Sequence, residues 1–130
     1  PFSGKNVMEL TLQILTALAT LMLTGLGLTS MFAPQKMLKN FALEPIGAPG
    51  FSTIRSVIGG LFLASVGFLA LAIFAGQHLG YLAVALVMAL VALGRIISMV
   101  ADGFDKAVVP PLVVELVITA ILVAAYLNAV

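Results

Sequence analysis

The chain has no cysteine, no tryptophan and a single histidine in 130 residues, and only 8% of its residues are charged. Without cysteine there is no disulfide, no thiolate nucleophile and no cysteine-ligated metal. One histidine, His78, cannot supply a metal triad or a bis-histidine haem site; in its polar turn it reads as a solvated side chain. No serine–histidine–acid set falls at a common depth, and Gly59-Gly60 sits inside a helix rather than before one, so it is no phosphate loop. A net charge of +1 is far too small to read nucleic-acid binding from it. These residue types call for no cofactor, no metal and no catalytic set; catalysis would have to rest on arginines and carboxylates alone.

What is present is hydrocarbon. The sequence is 62% hydrophobic with a mean hydropathy of +1.24, whereas soluble domains carry about 25% charged residues. A spanning helix needs about 20 apolar residues, and four such stretches fill most of the chain. The expected fold is all-α, an integral membrane four-helix antiparallel bundle forming a single membrane domain over residues 1–130. The spans fall at about 7–32, 51–74, 79–101 and 110–128, with a polar connection over 33–50. The first stretch is too long for a signal-peptide core, and Met31-Phe32-Ala33 is a poor processing site, so it reads as a retained span.

Pro34 ends helix 1, because proline disfavours helical geometry in the residue before it. Gln35 to Phe41 can form a short interfacial helix with Lys36 and Lys39 snorkelling to headgroups. Ser52 is a candidate N-cap for helix 2, and Pro110 fits the first turn of helix 4. Lys36, Lys39 and Lys106 lie on the connections of one side, against Lys5 on the other. The positive-inside rule then puts both termini outside.

Against this apolar background four charges stand out: Arg55, Arg95, Asp102 and Glu115. At 1.5 Å per residue, Arg55, Arg95 and Glu115 approach one membrane face at similar depths. Arg95, Ser98 and Asp102 share a helix stripe by their spacing. Charges in spans face the bundle interior and pair with one another, so the simplest arrangement holds Arg55 and Arg95 with Glu115 and Asp102. Such a cluster either pins helices together or binds a ligand. Guanidinium offers a planar fork of donors, which suits an anionic or carbonyl-bearing headgroup on a lipid-like molecule.

Two further patterns lie in the spans. Glu9, Gln13, Thr16, Thr20 and Thr24 form a polar stripe along helix 1 ending at Gly27, either a packing face or a polar pathway. Ser56, Gly60 and Ala64 form a small-residue ridge on helix 2, reinforced by Gly59 beside Gly60 and expected to allow close backbone approach.

Phe32-Ala33-Pro34, Ile54-Arg55 with Gly59-Gly60, the run from Leu93 through Gly94-Arg95 to Ser98, Asp102-Gly103 and Glu115 together resemble a small bacterial four-helix membrane family, uncharacterised and similar to the DoxX-like group. The resemblance covers essentially the whole chain. It implies a four-helix bundle in the bacterial inner membrane and no defined reaction. Some DoxX-like relatives are associated with redox complexes, but this chain has no redox centre of its own. The expected function is a binding or accessory membrane protein, in contact with membrane lipid, whose Arg55/Arg95/Ser98/Asp102/Glu115 cluster holds a lipid-like or small anionic ligand. The alternatives are a small dimeric transporter, for which Glu9 lies too near the start of helix 1, and a subunit of a homo-oligomer or larger membrane complex.

Overall fold

A computed structural model describes residues 4–130, with side chains from Asn6 onward, so the side chain of Lys5 lies outside the described residues. The chain is all-α: α1 (Gly4–Phe32), a 3₁₀ turn (Pro34–Met37), α2 (Leu38–Phe41), α3 (Gly47–Thr53), a π-helical turn (Ile54–Ile58), α4 (Gly59–Phe74), α5 (Leu79–Ala101), a second 3₁₀ turn (Lys106–Val108) and α6 (Val109–Ala129). Among the described residues four helical segments are long and apolar enough to cross a membrane, as a four-helix membrane bundle requires: Asn6–Phe32, Gly47–Phe74, Leu79–Ala101 and Lys106–Ala129. At most 28% of any span's most apolar window is buried within the protein. Phe74, Leu79 and Val100 are among many large apolar side chains left exposed. So many exposed large apolar side chains on helices of spanning length fit surfaces that face lipid.

The chain divides into two compact units, one formed by residues up to Ala17 together with Phe68–Val130, the other by Leu18–Gly67. In the first, α5 and α6 pack against each other along their length. Their buried faces follow helical spacing: Val84, Ala85, Met88 and Ala92 on α5, and Glu115, Ile118, Leu122 and Ala125 on α6. The tight turn before α5 puts Gly76 at φ +67°, where a side chain would be strained. Gly80 then sits so close to the Phe68 carbonyl that a Cβ there would collide with it.

In the second unit Ala19, Leu23 and Ser30 are buried at helical spacing on α1, and Gly27 on the same stripe meets Leu63 and Phe62. Gly59 abuts Met31, and Phe41 stacks on Phe62 with ring centroids 6.3 Å apart, tying α2 to α4.

Three local expectations are corrected. The second span begins at Gly47 rather than Phe51, because Pro49 falls in the first helical turn, where its missing N–H is no loss. Ser52 is therefore inside the helix and caps nothing; its carbonyl accepts from Ser56 Oγ. The ridge Ser56, Gly60 and Ala64 is not the close-approach face, since a Cβ on Gly60 would meet nothing within 4 Å. The close approach is at Gly59, one residue and about 100° further round the helix.

Candidate functional site

Arg95 and Glu115 form an ion pair, the only one among the described residues. Arg95 Nε donates to both carboxylate oxygens, at 2.7 Å to Oε1 and 2.8 Å to Oε2. Arg95 continues the buried stripe of α5, three residues beyond Ala92, and Glu115 opens that of α6. Each lies roughly 9 Å from the near end of its helix, so an antiparallel hairpin brings them level. Their surroundings differ. The Glu115 side chain is only 11% exposed, whereas that of Arg95 is 36% exposed. The carboxylate is thus the buried partner, and the guanidinium reaches outward from it.

Ser98 and Asp102 are brought together separately. Ser98 Oγ donates to Asp102 Oδ2 at 2.9 Å, and the Asp102 N–H closes the last turn of α5 on the Ser98 carbonyl. Asp102 is the exposed C-cap of that helix rather than a carboxylate inside the span. A negative charge at a helix C-terminus is unfavourable, and the serine hydroxyl offsets part of that.

Arg55 lies in the other unit, within the π-helical turn, and its partner is a carbonyl in place of the expected carboxylate. Nη1 donates to the Met31 oxygen at 2.7 Å. The cause is the end of α1. The last carbonyls of a helix lack intrahelical donors, and Pro34 has no N–H to give. A cation there also complements the negative end of the helix dipole. Arg55 is therefore a capping group supplied from a neighbouring helix. Met31 was not among the sequence candidates, although the Phe32-Ala33-Pro34 stop was the available signal that orphan carbonyls lie just before it.

Around Arg55 the surface is concave. Met31, Ala48, Phe51, Ser52, Arg55 and Ser56 line a hollow of about 580 Å³. Guanidinium carries five N–H donors, and one of them is engaged with Met31. No acidic side chain lines the hollow, so its only formal charge is positive. Close by in sequence, Ser30 Oγ is completely buried and has no hydrogen-bond partner. Among the described residues no group of three or more His, Cys, Asp or Glu is arranged to hold a metal ion.

No curated protein and no solved structure matches the chain. A family model, described as Domain of unknown function (DUF4345), matches residues 11–126 and so spans both units, the Arg95–Glu115 pair and Arg55. The chain, with four helices apolar and long enough to span a membrane, belongs to the DUF4345 family.

Proposed function

We propose that the chain is a membrane binding protein whose hollow beside Arg55 holds an anionic headgroup, that of a lipid-like molecule or of a small free anion. The observation that carries this is the hollow itself: a cation with donors to spare, two serines, apolar walls and no carboxylate. Its setting in a π-helical turn supports the reading, since such turns occur disproportionately at functional sites. Arg95 is already neutralised by the buried Glu115 across α5 and α6, so in this reading that pair is structural. The same proposal has the protein in a bacterial inner membrane with the Arg55 end toward the cytoplasm, where Lys36 and Lys39 meet anionic lipid. Kinship with the wider DoxX-like group belongs to the proposal too, on the arginine and glycine motifs.

Native mass spectrometry tests it with phosphatidylglycerol, phosphatidylcholine and glycerol 3-phosphate as probes. Phosphatidylglycerol adducts that survive on the wild type and disappear from Arg55→Gln support a lipid occupant. Retention of glycerol 3-phosphate alone points to the free anion as source. Equal phosphatidylglycerol and phosphatidylcholine adducts, unchanged by Arg55→Gln, overturn the proposal.

A further inference from the structure

The first unit holds a cavity of opposite chemistry, about 390 Å³ in volume. Glu9, Gln13 and Thr16 face it from α1, at the four- and three-residue spacing that puts them on one helix stripe. His78 and Tyr81 face it from the start of α5, and Asn128 from the end of α6. The remaining wall is apolar or glycine, including Leu12, Ala72 and Ala125. Gly76 and His78 belong to the connection between two spans, and Asn128 is next to last in its helix. The mouth therefore lies at the level of the headgroups, while Thr16 is roughly 15 Å along the span from Asn6.

The side chains of Glu9, Gln13, His78, Tyr81 and Asn128 make no hydrogen bond or ion pair to one another or to any other described residue. Glu9 and Gln13 are exposed and His78, Tyr81 and Asn128 half-buried, so their polar ends stay open to what enters from the interface, whereas Arg95 and the buried Glu115 are paired. Five that converge on one cavity without pairing are presented to whatever enters it. Lysine and arginine are absent from the lining, and Glu9 is its only carboxylate. The other four groups supply two amide oxygens, one phenolic hydroxyl and an imidazole nitrogen.

We infer that this cavity is a binding site for a small amphiphilic organic cation, a protonated amine with a short apolar body. The ammonium lies against Glu9, within reach of the Gln13 and Asn128 amide oxygens. The hydrocarbon lies along the Leu12, Ala72 and Ala125 wall. A volume of about 390 Å³ falls in the range of small-molecule pockets, about 300–1,000 Å³, which limits the occupant to a small ligand rather than a two-chain lipid. This inference is independent of the Arg55 hollow, which carries the opposite charge.

The chain's single histidine provides the reporter, because in the isotope-labelled protein His78 gives one imidazole spin system and lines the cavity. The protein in nanodiscs is titrated with hexylammonium, hexanol and hexanoate, three probes with one tail and different head charge. Hexylammonium should shift the His78 resonance saturably, with hexanol and hexanoate at least about tenfold weaker, the scale expected for a hydrogen bond to a charged group. Glu9→Gln should weaken hexylammonium by a similar factor. Asp105→Asn, which removes an acid from the third connection, should leave the titration unchanged. Gln13→Leu is the second variant, expected to weaken hexylammonium without changing the helix content read by circular dichroism. The inference is overturned if hexanol matches hexylammonium, if hexanoate binds best, or if Glu9→Gln titrates as the wild type does.

Discussion

The Arg95–Glu115 pair makes a directional prediction, because its two members are unequally buried. Arg95→Met leaves the Glu115 carboxylate, 11% exposed, without a partner. Stranding a buried charge in this way costs about 3–5 kcal/mol. Glu115→Gln leaves an arginine that is 36% exposed. That guanidinium can keep one hydrogen bond to the new amide or extend toward the interface, so the loss is nearer 1 kcal/mol. The double variant removes both charges at once. It should recover most of the Arg95→Met loss, giving a coupling energy of about 2 kcal/mol or more. Unfolding in detergent micelles, followed by circular dichroism as the denaturant fraction rises, measures all three variants and the wild type on one scale. If Glu115→Gln is as costly as Arg95→Met, the assignment of the carboxylate as the buried member is wrong. If the two losses simply add, the pair does not hold α5 to α6.

Two neighbouring glycines should respond with opposite signs. Gly59→Ala puts a Cβ 3.1 Å from the Met31 nitrogen and 3.2 Å from its Cβ, an overpacking against backbone that costs about 1–3 kcal/mol. Gly60→Ala meets nothing within 4 Å and gains up to about 1 kcal/mol of helix propensity; thermal melts in one detergent compare them directly, and equal shifts would refute the assignment of the contact face. Ser30→Ala removes a fully buried hydroxyl that has no partner. It should raise stability by about 1 kcal/mol, and a lowered melting temperature would mean that the hydroxyl has a role the packing does not reveal.

The helices were legible in the sequence, and so was much of what faces what along a single one of them. Leu79–Ala101 and the stop at Phe32 follow from apolar runs bounded by turn residues, since an isolated span has one way to satisfy its backbone in lipid. The pairing of Arg95 with Glu115 was among the arrangements expected, because both approach one membrane face at similar depth and charges in spans pair with one another. The start of the second span was harder to read, because Gly47, Ala48 and Pro49 resemble a loop until the helix that follows draws them into its first turn.

Composition and periodicity by themselves therefore determined the all-α class and the four apolar helices. These depend on each residue's own free energy in lipid and on the 3.6-residue repeat, which are local quantities. Tertiary structure decided the partners. Arg55 caps the carbonyl of Met31, twenty-four residues away in the chain; Asp102 is held by Ser98 within its own helix; and the stripe from Glu9 to Thr16 lines a cavity with His78, Tyr81 and Asn128. A carboxylate or a guanidinium has several acceptable partners of nearly equal energy. Which one it meets is fixed by how close the backbones come, and a π-helical turn or a glycine one position along sets that distance.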